Sequence, residues 1–261
     1  MKRRILWTCL ILTLIGVFSA SFLWLKSHRS PQLLGKCFHR VNTSKKVVAL
    51  TFDDGPSSHT QEILDILRLH NVQATFFLLG KHAEQHPNLV RQIYEEGHDI
   101  GNHSFSHEPL IFKSLAFIRE EINKTDQIIR LSGYPRTIHF RAPYGRKLIG
   151  LPWILHKANR PHILFDVIPD DWASPGVATI VNRILAQTKP GSIILCHDGN
   201  GDNIGQDRLQ TVQALPIVIQ KLKANGYQFV TISELLEIES ILKNARGGTR
   251  THTSCLTTTS K

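Results

Sequence analysis

The sequence predicts an α/β fold in which parallel strands with outer helices close into a distorted barrel. Seven short apolar segments alternate with helical patterns along residues 47–242. Such alternation indicates a parallel sheet whose strands are joined by crossover helices. Charged motifs follow five of the seven segments, each at the carboxyl end. Those ends meet at one mouth in a closed barrel but spread along an edge in an open sheet, so the barrel is favoured.

The predicted strands are compact runs rich in branched and aromatic residues, bounded by polar or turn-forming residues. They are Val47–Phe52, Ala74–Leu79, His98–Asn102, Thr137–Phe140, Ile163–Val167, Ser192–Cys196 and Tyr227–Ile232.

The predicted helices are recognised by apolar residues at helical spacing and by residues that begin or end a helix. Pro87 begins one helix and Gly97 follows its end, while Ser233 caps the last helix. The segments are Thr60–His70, Pro87–Glu96, Leu115–Leu131, Lys147–Ala158, Ala178–Gln187, Leu209–Ala224 and the stretch after Ser233.

The net charge of +10 is concentrated at the two ends of the chain. Residues 1–46 hold nine Lys or Arg and no acid, and residues 243–261 hold four Lys or Arg and no acid. Residues 47–242 carry the other 18 basic residues against 21 acidic ones. A nucleic-acid-binding domain carries a basic stripe on its folded surface. We therefore expect no nucleic-acid partner. The apolar fraction of 41% is enough for one sizeable hydrophobic core.

An uncharged run from Ile5 to Leu25 follows Lys2, Arg3 and Arg4. Its length suits a membrane-spanning helix, which takes about 20 residues, and the basic flank keeps that end cytoplasmic. We expect residues 1–25 to be a signal-anchor and the rest to lie outside the cytoplasmic membrane, in the periplasm or at the cell surface. Cleavage at Ser19-Ala20-Ser21 is the alternative and gives a secreted protein.

The remainder divides into three further parts. Residues 26–45 are polar and basic and are predicted to form a linker, and residues 46–242 form the folded domain. Residues 243–261 are predicted to be a tail, in which 246–261 are rich in Gly, Thr and Ser and disordered.

Asp53 and Asp54 are adjacent at the end of the first predicted strand, before Gly55 and Pro56. Adjacent strand residues face opposite ways, but a turn at Gly55 brings both carboxylates to the mouth. Two carboxylates held close together repel unless a cation lies beside them. The alternative is an ordinary surface turn, for which Asp-Asp-Gly is a common signal.

His103 and His107 are four residues apart, so one helical turn would place both imidazoles on one side. His82 and His86 have the same spacing, but Pro87 disfavours a helical conformation at His86. We therefore interpret His82 and His86 as a solvated loop pair and His103 and His107 as the candidate metal ligands.

Two imidazoles and one carboxylate give three protein ligands and leave one position open. That set is typical of a catalytic zinc site. The cofactor predicted is a divalent metal, with Zn²⁺ ahead of Co²⁺ or Ni²⁺, and the second carboxylate is left to act as a base.

Three further groups follow later strands. Arg141 can hold a carboxylate through its guanidinium, or form an ordinary salt bridge at the rim. Asp171 and Trp172 combine an acid with a ring suited to stacking on a sugar, although Trp172 also suits a core edge. His197 can act as a general acid whose pKa is set by a neighbouring carboxylate.

Taken together, these motifs closely resemble the polysaccharide deacetylase family, the NodB-homology domain of carbohydrate esterase family four. The resemblance spans about residues 46–240. It rests on Thr51-Phe-Asp-Asp-Gly-Pro56, His103-Ser-Phe-Ser-His107, Arg141-Ala-Pro-Tyr144, Asp171-Trp172 and Leu195-Cys-His197, in that order. The family fold, a distorted (β/α)7 barrel, agrees with the seven predicted strands.

The resemblance also implies a role for each site residue. Asp53 would be the general base, with Arg141 bound to it, and His197 the general acid, oriented by Asp171. The metal ligands would be Asp54, His103 and His107. The residues implied to bind substrate are Pro143, Tyr144, through its backbone N–H, Trp172 and Leu195.

The implied function is removal of acetyl groups from N-acetylhexosamine units of a glycan, with peptidoglycan ahead of chitin-like chains. An esterase acting on O-acetyl polysaccharides and a glycan-binding barrel without catalysis are the alternatives. The partners expected are the glycan and, through the N-terminal segment, the membrane, with no obligate protein partner.

Overall fold

Eight parallel strands form one sheet in the part of the chain that the computed structural model describes, residues 34–201 and 207–245 with four isolated positions nearer the N-terminus. The strands are β1 Cys37–Phe38, β2 Val47–Asp53, β3 Thr75–Leu78, β4 Asp99–Asn102, β5 His139–Phe140, β6 His162–Ile163, β7 Ser192–His197 and β8 Gln228–Phe229.

The sheet curls into a distorted barrel. Its strand order is β1-β6-β5-β4-β3-β2-β7, with β8 paired to the start of β2. A parallel bridge between Val167 and Ile194 connects the segment after β6 to β7, and an antiparallel bridge links Arg40 to Ser192. These bridges bring the two edges of the sheet together, which confirms the predicted class of fold.

Helices surround the sheet and supply the crossovers. They are α1 Thr60–Leu69, α2 Gly80–Gln85, α3 Pro87–Glu95, α4 Leu115–Leu131, α5 Gly150–Lys157, α6 Val177–Gln187, α7 Leu209–Ala224 and α8 Ile232–Ala245. Two short 3-10 turns, Pro143–Gly145 and Asp171–Ala173, lie in the loops after β5 and β6.

Strand β2 is buried along its whole length, as expected for a parallel strand covered on both faces. Alternate residues belong to two different apolar clusters. Val48, Leu50 and Phe52 pack with the helices in the outer cluster, whereas Val47 and Ala49 pack in the barrel interior. The same alternation places Asp53 on the inner face at the carboxyl end of the strand.

Helix α8 closes the opposite end of the barrel. Ile232 and Leu235 belong to the interior cluster, together with residues of β2 and β7. The first turn is fixed to the strands above it, because Ile232 N–H donates to Thr75 Oγ1 (2.9 Å) and Ser233 N–H donates to Asp99 Oδ2 (2.9 Å). The barrel is therefore filled below, and its open mouth lies at the carboxyl ends of the strands.

The structure differs from the prediction in several elements. Cys37 and Phe38, expected in the linker, pair with β6 as strand β1, and Val41 is buried. Helix α2 was not predicted, since its six residues are too short to show a helical period. Helix α5 begins at Gly150 rather than Lys147, because the 3-10 turn at Pro143–Gly145 and an extended Arg146 precede it.

The two ends of the chain are described only in part. Helix α8 includes residues 243–245, which were predicted to be tail, while the tail from 246 onward lies outside the described residues. The anchor predicted for residues 1–25 also lies outside the two continuous ranges. Among the residues that the structure describes, no helix is both long enough and apolar enough to span a bilayer.

Candidate active site

Asp53 and Asp54 both reach the mouth because the chain turns sharply at Asp54. Asp53 ends β2, and Asp54 has a φ of 77°. A left-handed residue reverses the expected alternation of side chains, so the second carboxylate is not directed outward. The prediction that Gly55 makes this turn was wrong: the turn residue is Asp54, and a cis peptide bond follows between Gly55 and Pro56.

A second turn, formed by Asp198 and Gly199, supports the carboxylate turn. The N–H groups of Asp198 and Gly199 lie 3.2 and 3.3 Å from Asp53 O. A Cβ atom on Gly199 would lie 2.2 Å from Asp54 O, so only glycine fits this position. The two turns are thus packed backbone against backbone.

His103 and His107 come from the loop after β4 and converge on Asp54. His103 Nε2 lies 3.4 Å, and His107 Nε2 3.2 Å, from Asp54 Oδ1. The expected helical turn is absent between these two histidines, since Ser104 and His107 have φ values of 75° and 67°. The imidazoles therefore meet through a left-handed loop rather than through helical spacing.

The three side chains fit a divalent metal. One ligand atom from each lies within 4.8 Å of the other two, and all three residues are buried. Within the described residues, Asp54 Oδ1 is buried without a hydrogen-bond donor. Because a buried carboxylate oxygen is costly to leave unpaired, its position between two imidazole nitrogens is typical of a metal ligand.

The orientation of His103 is fixed by the backbone of Arg141. Its Nδ1 lies 2.9 Å from Arg141 O, and since a carbonyl can only accept, Nδ1 carries the proton. Burial lowers the pKa of His103 to about 3, although the nearby Asp54 opposes this effect. The imidazole is therefore neutral, with the Nε2 lone pair available toward Asp54.

Arg141 crosses the interior and holds Asp53. Its Nη1 donates to Asp53 Oδ1 (2.6 Å) and to Thr51 Oγ1 (2.8 Å), and the guanidinium lies 4.0 Å from the Phe77 ring centroid. Burial raises the pKa of Asp53, while the charge of Arg141 acts in the opposite direction. Asp53 Oδ2 lies 3.7 Å from His103 Nε2, beside the metal ligands rather than among them.

His197, which is partly buried, forms an ion pair with the buried Asp171 at the strand end next to Asp53. His197 Nδ1–H donates to Asp171 Oδ1 (2.8 Å), and the His197 backbone N–H and Thr211 Oγ1 donate to Asp171 Oδ2. Burial by itself would lower the pKa of His197, but the charge and hydrogen bond of Asp171 raise it to about 9. The imidazole is therefore protonated at neutral pH.

The predicted substrate-binding residues lie around these groups. The Tyr144 ring lies 4.6 Å from the His107 ring, and the Trp172 ring meets the His197 ring edge-on at 5.5 Å. Tyr144 is 51% exposed and Trp172 is 37% exposed, whereas Pro143 and Leu195 are buried. Their contacts with substrate stay predictions.

Several residues of the site were not found from the sequence. His82 was expected to be solvated, but it is half-buried and its Nδ1 lies 2.8 Å from Asp54 O. His86, the other histidine of that sequence pair, is the N-cap residue of α3, directly before Pro87.

Asp198 also supports the site. It is fully buried and accepts from Thr60 Oγ1 (2.6 Å), and burial raises its pKa to about 7. The Asp198-Gly199 pair directly after His197 is the sequence feature that could have indicated this supporting turn.

Comparison with known proteins agrees with this geometry. The sequence model described as polysaccharide deacetylase matches residues 40–159. A peptidoglycan-N-acetylglucosamine deacetylase of Bacillus cereus is 36% identical over 208 residues, which cover 75% of this chain and 91% of that protein. A chitooligosaccharide deacetylase of Rhizobium leguminosarum bv. trifolii is 36% identical over 206 residues, covering 76% and 95%.

The fold matches as well. The solved structure of the Bc1960 peptidoglycan N-acetylglucosamine deacetylase, in complex with an N-hydroxybenzamide, superposes with a TM-score of 0.71 at 38% identity. The match covers 82% of this chain and 95% of the other. On sequence, fold and the order of its site motifs, the chain belongs to the polysaccharide deacetylase family.

Proposed function

We propose that this protein is a metal-dependent N-deacetylase that removes acetyl groups from N-acetylhexosamine units of a glycan. The observation that carries the proposal is the convergence of two separate sets of groups at one mouth. Asp54, His103 and His107 form a compact ligand set, while Asp53, held by Arg141, lies beside it without belonging to it. Metal-dependent amide hydrolysis combines a Lewis acid with a nearby base.

The metal ligands would be Asp54, His103 and His107. Imidazole and carboxylate ligands suit Zn²⁺, Co²⁺ and Ni²⁺. We place Zn²⁺ first because three such ligands with one open position are typical of a catalytic zinc site. A bound divalent cation would supply Lewis acidity toward water and toward the acetyl carbonyl. The chain itself prepares the ligands for this role, since His103 is held neutral with its proton on Nδ1.

Asp53 is assigned as the general base. Its Oδ1 is occupied by Arg141 Nη1, which leaves Oδ2 directed toward the ligand cluster. Burial raises the pKa of Asp53 above its usual value, which strengthens the carboxylate as an acceptor for the proton of the attacking water. The charge of Arg141 opposes this rise in pKa and favours the ionised form.

His197 is assigned as the general acid. Asp171 fixes its Nδ1–H and keeps the ring protonated, so the remaining nitrogen can donate to the leaving amine. The Tyr144 backbone N–H is assigned to the oxyanion, and Trp172 and Leu195 are assigned to the walls of the acetyl pocket. The products would be acetate and a free amino sugar.

Peptidoglycan is proposed as the substrate ahead of chitin-like chains. The Bacillus cereus relative is named for peptidoglycan, and the Rhizobium relative for chitooligosaccharides. The basic end followed by an uncharged run from Ile5 to Leu25 supports action outside the cytoplasmic membrane, where peptidoglycan lies. Anchoring through this run is part of the proposal, and its cleavage, which would give a secreted protein, is the alternative.

Acetate release from three glycans tests the function. The purified full-length chain is incubated with N-acetylglucosamine oligomers, peptidoglycan fragments and acetylated xylan, each with and without a chelator. We expect acetate from the first two, its loss with chelator and its recovery on adding Zn²⁺. Release from acetylated xylan alone would indicate an O-acetyl esterase, and glycan binding without acetate release would indicate a non-catalytic barrel.

A further inference from the structure

We infer that Glu121, on helix α4, is a positioning residue for the metal site because it fixes the loop that carries both histidine ligands. The inference rests on the metal site of the proposed function and assigns it a further residue. Glu121 lies far from the histidines in sequence and is 6% exposed. It makes no ion pair within the part of the chain that the structure describes.

The carboxylate of Glu121 binds the middle of the loop between the two ligands. Its Oε2 accepts from Phe105 N–H (2.9 Å), Ser106 N–H (2.8 Å) and Ser106 Oγ (3.0 Å). Buried acids without a cation are retained only when hydrogen bonds compensate the lost hydration. Here the compensating donors all come from the segment between His103 and His107.

Most hydrogen bonds that hold this loop come from groups outside it, although His107 N–H donates to Ser104 Oγ within it. Ser104 and His107 both adopt left-handed backbone angles, which non-glycine residues avoid. The carbonyls of Ser104 and Phe105 are used by the N–H groups of Gly80 and Lys81 at the start of α2. Glu121 accepts from the N–H groups of the two central residues, Phe105 and Ser106.

The two histidines differ in how much support they receive. His103 is oriented directly by the hydrogen bond from Nδ1 to Arg141 O. His107 Nδ1, in contrast, is buried without a hydrogen-bond partner in the described structure. The position of His107 therefore depends on its backbone, whose N–H donates to Ser104 Oγ (3.1 Å), and on ring contact with Tyr144. The backbone that Glu121 holds is therefore a larger part of the support for His107 than for His103.

Helix α4 provides a rigid base for this contact. Ile118, Ile122 and Ile129 are buried on its inner face. The end of strand β4 is tied to the same helix, because Asn102 Nδ2 donates to Ile122 O (2.8 Å) while Asn102 Oδ1 accepts from Ser104 N–H (2.8 Å). The loop is thus held at its start by Asn102 and at its centre by Glu121.

Zinc affinity of the metal-free protein tests the inference, measured by isothermal titration calorimetry with Zn²⁺ alone. The variants are Glu121→Ala, Glu121→Asp, which shortens the side chain, and Glu121→Gln, which keeps an acceptor oxygen at the same reach. Because residues that orient metal ligands affect affinity by about 10–100-fold, we expect losses of this size for Ala and Asp. Gln should restore most of the affinity.

Two controls separate positioning from general stability. Glu120→Ala removes a neighbouring but exposed carboxylate from the same helix, and Ile129→Val loosens the core side of the helix away from the loop. Both should bind Zn²⁺ like the parent chain, whatever their melting temperatures. If Glu121→Ala does not fold, Glu121→Asp decides the outcome.

The inference is overturned if Glu121→Asp, and any folded Glu121→Ala, bind Zn²⁺ as tightly as Glu120→Ala does. If the parent chain binds no Zn²⁺, the assignment of the metal site is refuted, and the inference with it. A parent chain that binds Zn²⁺ but releases no acetate would contradict the proposed function and leave the role of Glu121 intact.

Discussion

Arg141 Nη1 lies 2.6 Å from Asp53 Oδ1, and both side chains are buried at the end of the barrel interior. Each charge is costly to bury alone, and each compensates the other. The pair thus links the stability of the interior to the availability of the base.

Replacing Arg141 should destabilise the fold as well as the site. Arg141→Met leaves Asp53 buried without its cation, and breaking such a pair costs about 3–5 kcal/mol. Arg183→Met breaks the exposed pair with Asp170 and should cost less than about 1 kcal/mol. Urea unfolding measures both, and equal losses would contradict the view that Arg141 compensates a buried charge.

Substitutions at Asp53 and His103 should have different effects on turnover and on metal binding. Asp53→Ala removes the base but no ligand, so we expect kcat to fall by about 10²–10⁴-fold with Zn²⁺ affinity kept. His103→Ala should lose both. Acetate release and calorimetric zinc titration distinguish the two variants, and full activity in Asp53→Ala would refute the assignment of the base.

The activity should decline as pH rises through about 9, because His197 must be protonated to act as an acid and Asp171 raises its pKa to about 9. Asp171→Asn removes the charge that keeps the proton, so the alkaline limb of kcat/KM should move to lower pH. Asp170→Asn alters an exposed neighbour and should leave the limb in place. An unchanged profile in Asp171→Asn would exclude His197 as the titrating acid.

Replacing His82 should weaken metal binding, whereas replacing His86, the other histidine of the same sequence pair, should not. His82→Ala removes the donor to Asp54 O, and Asp54 then loses one contact that holds its left-handed backbone. We expect weaker Zn²⁺ binding in His82→Ala and parental affinity in His86→Ala, since His86 is exposed. Equal Zn²⁺ affinities for the two variants would show that His82 does not support the metal site.

Gly199 should not tolerate any side chain. A Cβ there would lie 2.2 Å from Asp54 O and 2.9 Å from Gly55 N, both of them backbone atoms. Gly150→Ala is the matched control, because its Cβ would meet only the ends of Ile118 and Leu115 at 3.2 and 3.3 Å. Gly199→Ala should reduce both melting temperature and zinc affinity, while Gly150→Ala should preserve them. A parental melting curve for Gly199→Ala would show that the two turns can separate.

The long elements were predictable because their periodicity is strong. Helices α4 and α7 have the predicted bounds, Leu115–Leu131 and Leu209–Ala224, even with Pro216 inside the latter. Short elements were lost or misplaced, since β1 and α2 contain too few residues to show a period. The convergence of Asp54, His103 and His107 followed from their places at strand ends rather than from the helical spacing first considered.

The supporting residues could not be predicted in the same way. Glu121 and His82 act through backbone atoms of the ligand loops, and no spacing rule connects them to the sites they support. The left-handed conformation of Asp54 was also hidden, because Gly55 is the residue that a turn would be expected to use. Backbone conformation in loops depends on tertiary contacts that one sequence does not display.

The helix that fills the lower end of the barrel, α8, has a consequence for how a polymer is handled. Because Ile232 and Leu235 fill the lower end of the barrel, we expect no sugar chain to pass through its interior. We therefore expect a glycan to lie across the rim, where Tyr144 and Trp172 are exposed, and to insert one acetamido group sideways. Such an approach requires no free terminus, so residues in the middle of a long cross-linked chain are as accessible as those at its tips.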